Sequence, residues 1–282
     1  MAVAASLSGW RKPSVLPGFG PSFGLTITYL SLIVLLPLAA MVLTTIGGGW
    51  QSFLHAVLQP RALAAFRVTL SCAGGSAAIA AAAGLLIAWV LVRHRFPGRR
   101  LMDAFVDLPF ALPTAVAGIA LTSLYAPNGW IGSLLAPLGI RVAFTPLGIV
   151  VALTFIGLPF VVRAVQPVLQ ELEHEQEEAS HMLGASGWQT FRRVIFPALT
   201  PALLTGFTMA LARGLGEYGS VIFIAGNKPM ISEIVPLLIV IDLDQFNYAG
   251  ATALGTTMLL ISFLLLLAIN RLQDWMRVRH GD

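Results

Sequence analysis

Residues 247–270 read NYAGATALGTTMLLISFLLLLAIN, an apolar stretch that contains no charged side chain. About 20 predominantly apolar residues are enough to cross a bilayer as a helix. Five further segments qualify to within a few residues. In chain order the six are Gly24–Gly47, Val68–Val92, Leu101–Ala126, Pro146–Val165, Ala198–Ile224 and Asn247–Asn270. The sequence therefore predicts an all-α membrane protein with six transmembrane helices.

The composition excludes the main alternatives. Of the 282 residues, 57% are hydrophobic and 11% are charged, and the mean hydropathy is +0.83. A soluble domain carries about 25% charged residues, so a soluble enzyme of this length is excluded. An outer-membrane barrel is also disfavoured, because its strands alternate apolar and polar residues and these segments do not. The single cysteine, Cys72, permits no intrachain disulfide and no cysteine metal cluster.

The basic residues predict the orientation. Twelve of the 17 lie in the N-terminal tail, the second and fourth connections and the C-terminal tail, and this count assigns Arg163 to the fourth connection. Connections rich in Lys and Arg face the cytoplasm, so both termini are predicted to be cytoplasmic. The net charge of +4 therefore reflects topology rather than nucleic-acid binding. The predicted organisation is an N-terminal tail (1–23), a six-span domain (24–270) and a C-terminal tail (271–282).

Three connections have a character of their own. Pro127–Thr145 is rich in Gly and Pro and predicts a folded outer loop. The apolar run Ile234–Ile241 is too short to span a membrane, which favours a re-entrant or interfacial helix on the outer side. The cytoplasmic stretch 166–197 is the longest polar insertion, and its first half contains Glu171, Glu173, Glu175, Glu177 and Glu178.

Motifs for direct chemistry are absent from the sequence. Both lysines precede proline, so the chain has no P-loop lysine, and no His-Glu-x-x-His pair occurs. We therefore expect no enzymatic activity, metal or cofactor in this chain. Gly214-Leu-Gly-Glu-Tyr-Gly219 matches the dinucleotide fingerprint letter for letter. That motif binds a cofactor only between a strand and a helix, whereas inside an apolar span it predicts close helix packing or local unwinding.

Arg213 and Glu217 are the obvious ionisable pair well inside a predicted span. Residues four apart share a helix face, and charges within a membrane usually face the bundle interior or a water-filled path. Two interpretations remain open: the pair stabilises the bundle, or it lines a substrate route. Asp103 and Asp107 follow Arg99 and are interpreted as acids that favour a helix N-terminus.

The cytoplasmic insertion has a specific spacing. It reads Glu178-Ala179-Ser180, three residues, Gly184, nine residues, Val194, one residue, Phe196-Pro197. The pattern resembles the Glu-Ala-Ala loop of binding-protein-dependent ABC importer permeases. The resemblance implies a type I importer permease fold with a short coupling helix that docks on an ATPase subunit. The coupling residues it implies are Glu178, Ala179, Ser180, Gly184 and Pro197.

Two further stretches narrow the resemblance. Asp107–Gly118 and Gly214–Asn227 are similar to the T-type permease subunit of sulfate/thiosulfate importers, and molybdate permeases share part of this similarity. The resemblance implies a bacterial inner-membrane complex. Its other parts would be a second permease, two copies of an ATPase that carry ATP and Mg²⁺, and a periplasmic sulfate-binding protein.

Spans three and five are then expected to line the translocation path, with Pro109, Pro113, Arg213 and Glu217 as its residues. Alternatives remain open: a molybdate/tungstate permease, an ATP-independent channel or secondary transporter, and a membrane-embedded enzyme. Hetero- and homodimeric permease pairing are also both open.

Overall fold

The computed structural model of the protein describes residues 19–172, 178–180 and 182–280, and within these ranges the long elements are all helices. In chain order we label them α1 (Gly20–Gly47), α2 (Trp50–Leu58), α3 (Pro60–Arg93), α4 (Arg99–Val106), α5 (Leu108–Ala111), α6 (Thr114–Tyr125), α7 (Trp130–Leu135), α8 (Pro146–Glu171), α9 (Gly187–Leu215), α10 (Val221–Ile224), α11 (Val235–Asp244) and α12 (Tyr248–His280). The all-α prediction is confirmed for the described residues.

Five of these helices, α1, α3, α8, α9 and α12, are long and apolar enough to cross a membrane. The predicted third span, Leu101–Ala126, is divided into α4, α5 and α6. The division between α5 and α6 falls at Leu112, whose backbone is extended with φ −87° and ψ 133°. A residue that precedes proline is driven out of the helical region by the proline ring, so Pro113 accounts for this break.

The predicted fifth span also differs from the structure. Its helix, α9, begins at Gly187, well before the predicted start at Ala198, and it ends at Leu215. Residues 216–220 are not helical, and only the short α10 follows before residue 225. Thus two of the predicted spans are interrupted helices.

The centre of the molecule is the packing of α3, α8 and α9, in which glycine permits close approach. A Cβ atom on Gly84 of α3 would lie 2.7 Å from Cγ1 of Val161, and one on Gly206 of α9 would lie 2.7 Å from Cα of the same valine. Small residues at helix crossings allow backbones to approach closely in membrane proteins. Val161 of α8 is therefore held between two glycines.

Helix α1 projects from this core. It packs on α12, where the hydroxyl oxygens of Thr45 and Thr256 are 2.9 Å apart. Most of its apolar side chains are exposed, and Leu25 is 74% exposed. This surface is available to lipid or to another subunit.

Two helices contain a wide, π-type turn near a proline. In α1 the turn is Ser31–Leu35 and Pro37 follows it; in α9 the turn is Phe191–Ile195 and Pro197 follows it. Proline lacks the N–H that would bond to the carbonyl four residues earlier, and a wide turn shifts that bonding pattern. Both helices therefore continue past their prolines.

The connections agree in part with the sequence-based expectations. The predicted outer loop Pro127–Thr145 contains α7, and the run Ile234–Ile241 lies almost entirely in the short helix α11. Helix α12 continues through His280, across most of the predicted C-terminal tail. Residues 1–18 of the predicted N-terminal tail lie outside the described residues, as do Glu173, Glu175 and Glu177.

Candidate translocation path and coupling segment

The two interrupted helices meet where their breaks occur. A Cβ atom on Gly219 would contact Oγ1 of Thr114, the first residue of α6. One on Gly118, a turn further along α6, would lie 2.8 Å from Cα of Ser220. The non-helical segment 216–220 therefore packs directly against the start of α6, and glycine at 118 and 219 permits this approach.

Arg213 and Glu217 form an ion pair at this place. Nη1 of Arg213 is 2.6 Å from Oε2 of Glu217, whose side chain is only 2% exposed, whereas that of Arg213 is 38% exposed. Oε1 of Glu217 accepts hydrogen bonds from the backbone N–H (2.9 Å) and the hydroxyl (3.0 Å) of Ser220. Both oxygens of the carboxylate thus have protein donors, while part of the guanidinium surface faces outward.

The expectation that the pair shares a helix face is only partly right. Because α9 ends at Leu215, Arg213 lies in its last turn and Glu217 lies in the non-helical segment beyond it. Both features predicted for the Gly214–Gly219 stretch are present: the chain is unwound after Leu215, and Gly219 packs closely against Thr114 of α6. The ion pair joins a helix end to the chain that leaves it.

The two prolines lie close to the same break. Pro109 is in the first turn of α5, where its missing N–H costs no helical hydrogen bond. Pro113 immediately precedes α6 and so adjoins Thr114, the residue that contacts Gly219. The assignment of Pro109, Pro113, Arg213 and Glu217 to a translocation path stays a prediction, and the structure places Pro113 and Glu217 in adjoining segments.

Sequence reasoning missed a second charged network. Arg163 lies inside α8, not in a connection, and its guanidinium binds Asp107 (Nε–Oδ1 2.8 Å, Nη2–Oδ2 2.5 Å) and Asp103 (Nη1–Oδ1 2.8 Å). Gln166 also donates to Oδ1 of Asp103 at 3.0 Å. The carboxylates of both aspartates therefore bind Arg163, although Asp107 also lies at the start of α5, where its side chain makes no capping hydrogen bond. An arginine within an apolar segment was the available signal, since such a charge demands a partner.

A third ion pair, also missed, connects α3 to the segment before α11. Arg61 binds Glu233 in a two-point geometry, with Nε–Oε2 at 2.8 Å and Nη2–Oε1 at 2.6 Å. Next to it, the backbone N–H of Val235 donates to the hydroxyl of Thr69 at 3.0 Å. These contacts anchor α11, which the sequence identified as a short helix without indicating its partner.

The coupling segment, which we define as residues 178–184, begins with a helical turn at Glu178, Ala179 and Ser180. The hydroxyl of Ser180 lies 2.8 Å from that of Thr190, which ties the turn to α9. Gly184 has φ +82°, a left-handed conformation. Such a glycine commonly ends a helix, which is the role expected of Gly184.

Apolar side chains project from this segment. Met182 and Leu183 are each 89% exposed, and Trp188 at the start of α9 is also exposed. His181 lies outside the described residues. An exposed apolar cluster of this kind marks a surface that another protein or a membrane covers.

Pro197, the last of the coupling residues that the resemblance implies, lies inside α9. It lies ten residues after the start of α9 and directly follows the wide turn Phe191–Ile195 and Phe196. A capping box of Ser186 and Gln189 begins the helix. Within the described residues, no group of three or more His, Cys, Asp or Glu side chains is arranged to hold a metal ion.

Comparison with known families defines the class of this protein. Residues 80–279 match the family described as binding-protein-dependent transport system inner membrane component, and the chain belongs to it. With its five long apolar helices, the chain is therefore a multi-pass membrane protein.

Its relatives carry more particular names. The chain is 50% identical over 252 residues to the probable sulfate transport system permease protein cysT of Nephroselmis olivacea, with 89% of each chain covered. It is 48% identical over 260 residues to the sulfate transport system permease protein CysT of Escherichia coli (strain K12), and this match covers 92% of this chain and 94% of that protein.

Solved structures share the fold. A bacterial ABC transporter involved in the import of alginate superposes with a TM-score of 0.75 at 15% identity, over 91% of this chain and 94% of that one. The same type of transporter in complex with a pentasaccharide-bound periplasmic protein gives 0.74 at 19% identity, over 90% and 92%. At such identities the likeness concerns the fold alone.

Proposed function

We propose that this chain is one permease subunit of an ATP-binding-cassette importer that moves sulfate or thiosulfate across the bacterial inner membrane. The observation that carries the proposal is the 48% identity to a sulfate permease over 92% of the chain. No ATPase motif occurs in the sequence, so ATP and Mg²⁺ belong on a separate ATPase. The chain itself then needs no cofactor.

The coupling segment is the proposed ATPase contact. Its helical turn is fixed to α9 by the Ser180–Thr190 hydrogen bond, and Met182 and Leu183 offer apolar area to a partner. A rigid element that joins two spans transmits a partner's movement to them. The remaining partners are a second, related permease, a second ATPase copy and a periplasmic sulfate-binding protein. The residues we assign to coupling are Glu178, Ala179, Ser180, Gly184 and Pro197.

The proposed path runs beside the interrupted helices. Half-helices in transporters leave backbone groups that contact ions at membrane depth, and α6 begins directly at such a break. Arg213 keeps guanidinium surface exposed after pairing with Glu217, and a guanidinium group binds oxyanions well. We assign Pro109, Pro113, Arg213 and Glu217 to this path.

The proposal includes a topology of six membrane crossings with both termini in the cytoplasm. The sixth crossing is made by α5 and α6, with α4 at its cytoplasmic boundary. The Arg163 network fixes α4 and the α4–α5 junction to α8. The basic residues of the loops beside α4 and α9 then face the cytoplasm.

Uptake of radiolabelled sulfate tests the proposal. The chain would be expressed together with the second permease, the ATPase and the binding protein encoded by adjacent genes. The host would be a bacterium that lacks its own sulfate importers. We expect uptake that requires all four proteins and ATP, and that excess thiosulfate suppresses. Uptake without the ATPase would show a channel or secondary transporter instead. Uptake of molybdate or tungstate but not sulfate would make the chain a molybdate-type permease.

A further inference from the structure

A cavity of about 300 Å³ lies beside α4 at the basic end of the bundle, which we define by Arg93, Arg99, Arg100, Arg192 and Arg193. It is bounded by α4 on one side and by the last turns of α8 on the other. Its polar lining consists of Arg99, Arg100, Asp103, Arg163, Gln166 and Gln170.

The carboxylates near this cavity are already occupied. Asp103 and Asp107 both bind Arg163, and Gln166 donates a further hydrogen bond to Asp103. Among the described residues that line the cavity or bind Arg163, three guanidinium groups therefore face two carboxylates, which leaves one positive charge in excess. Within the part of the chain that the structure describes, neither Arg99 nor Arg100 has a carboxylate oxygen within 4.0 Å.

Helix α4 has the character of an interfacial helix. Arg99 and Arg100 are its first residues, while Leu101, Met102 and Phe105 are all at least half exposed. A short helix with basic residues on one side and apolar residues on the other lies at the boundary between headgroups and acyl chains. The two arginines then stand at the depth of the lipid phosphates.

We propose that this cavity binds a tetrahedral oxyanion of the phosphate type, held by Arg99 and Arg100 with the amide of Gln170. Guanidinium groups bind such oxyanions through paired, charge-assisted hydrogen bonds. The ion has two available sources: the phosphodiester of an anionic phospholipid, or free phosphate or sulfate. The proposal does not depend on which anion the protein transports.

Occupancy of the cavity would stabilise the contact between α4 and α8. The ion would touch Arg99 and Arg100 on one side and Gln170 on the other, next to the Arg163 network that already joins these helices. Helix α8 ends at Glu171, shortly before the coupling segment. A bound headgroup would thus fix one end of the helix that leads to that segment.

Lipid binding to the full-length chain tests the proposal. The purified protein would be placed in nanodiscs of phosphatidylcholine with and without phosphatidylglycerol, and retained lipid would be measured by native mass spectrometry. Because both guanidinium groups would bind the phosphodiester directly, Arg99→Gln with Arg100→Gln should weaken retention of phosphatidylglycerol by about tenfold or more.

Two further variants serve as controls. Arg192→Gln with Arg193→Gln removes two adjacent, exposed arginines at the same end of the bundle but outside the cavity, and should retain the lipid. Arg99→Lys with Arg100→Lys keeps the charge but loses the paired guanidinium donors, so it should recover only part of the binding. Equal retention by the unmodified chain and the Arg99→Gln, Arg100→Gln variant, or equal loss in the variant at 192 and 193, would overturn the proposal.

The source of the ion is decided in detergent without added lipid. If millimolar sulfate or inorganic phosphate raises the thermal midpoint of the unmodified chain but not of the Arg99→Gln, Arg100→Gln variant, the free ion is a ligand. If only phosphatidylglycerol has that selective effect, the ligand is the lipid headgroup. If neither does so while both chains remain monodisperse, the cavity is not an oxyanion site.

Discussion

The carboxylate of Glu217 accepts from one charged donor, the guanidinium of Arg213, and from two neutral donors, the N–H and the hydroxyl of Ser220. The contribution of its charge can therefore be tested separately from that of its hydrogen bonds to Ser220. One carboxylate oxygen binds Arg213 and the other binds Ser220. In Glu217→Gln the amide oxygen can still accept from Ser220, but Arg213 loses its counter-ion. If the pair lines the path, we expect sulfate uptake to fall by about tenfold or more, which corresponds to roughly 1.4 kcal/mol.

Assembly must be measured alongside uptake, by co-purification of the ATPase and the second permease. Ser220→Ala is the matched control, because it removes the hydroxyl donor and leaves the Arg213–Glu217 charges in place. We expect it to transport at close to the unmodified rate. Unchanged uptake by Glu217→Gln in an assembled complex would leave the pair with a purely structural role.

The ion pairs of this protein differ in whether their partners could be predicted from the sequence. Arg213 and Glu217 are four residues apart, so their spacing predicted a contact, although the helix that this argument assumed ends at Leu215. Arg163 meets Asp103 across 60 residues, and Arg61 meets Glu233 across 172. Helix packing determines such contacts, and no local spacing encodes it. The sequence therefore located the charged residues but paired only the nearest two.

At the scale of the element, the end of the coupling segment depends on one backbone conformation. Gly184 has φ +82°, and a Cβ atom there would meet no atom of the described residues within 4 Å. Within the described part of the chain, a substitution therefore acts through the backbone conformation. A left-handed residue other than glycine costs roughly 1–2 kcal/mol, and asparagine tolerates it better than valine.

We accordingly expect Gly184→Val to separate ATP hydrolysis from uptake or to weaken ATPase binding, while Gly184→Asn keeps both close to normal. Pull-down of the ATPase and the ratio of sulfate imported to ATP hydrolysed are the measurements. Normal binding and normal coupling in the valine variant would show that the left-handed turn is not needed.

The close crossing of α8 and α9 predicts that a larger residue at Gly206 lowers the stability of the protein. A Cβ atom at Gly206 would lie 2.7 Å from the Cα of Val161, and a backbone atom cannot rotate away. The two helices would have to separate, and overpacking of this kind costs about 1–3 kcal/mol. Gly206→Ala should therefore lower the temperature at which the detergent-purified chain loses its monodisperse peak.

Gly75→Ala on α3 provides the comparison. It makes the same substitution within a long helix, but a Cβ atom there meets no atom of the described residues within 4 Å. Alanine is favoured over glycine in a helix by about 1 kcal/mol, so this variant should be at least as stable as the unmodified chain. Equal effects of the two substitutions would mean that the close crossing does not limit stability.

The sequence predicted the ends of a helix where those ends coincide with a change in hydropathy. Hydropathy alone located α1, α3, α8 and α12 within a few residues at one end or both. It could not locate the breaks at Leu112 and Leu215, because apolar composition continues through both. Pro113 restricts the backbone of Leu112, and the glycines at 214, 216 and 219 lower the helix propensity around Leu215. Both effects interrupt a helix without changing its hydropathy.

For the whole molecule, the orientation in the membrane is predicted from the distribution of charge. The loop between α3 and α4 contains exposed His94 and is surrounded by Arg93, Arg95, Arg99 and Arg100. Exposed Ser133 of α7 lies in the connection on the other side of the predicted third span. The excess of basic residues predicts that the first loop is cytoplasmic and the second is outside.

Cysteine labelling decides this orientation, because the chain has a single cysteine. Cys72 is 4% exposed, so Cys72→Ala removes the background thiol with a small loss of packing. In that chain Ser133→Cys should react with a membrane-impermeant maleimide in spheroplasts, whereas His94→Cys should react only after the membrane is opened. The reverse pattern would put the coupling segment, which lies at the same end of the bundle as His94, outside the cell. An ATPase that depends on cytoplasmic ATP could not reach it there, so reversed labelling would refute both the topology and the proposed mode of coupling.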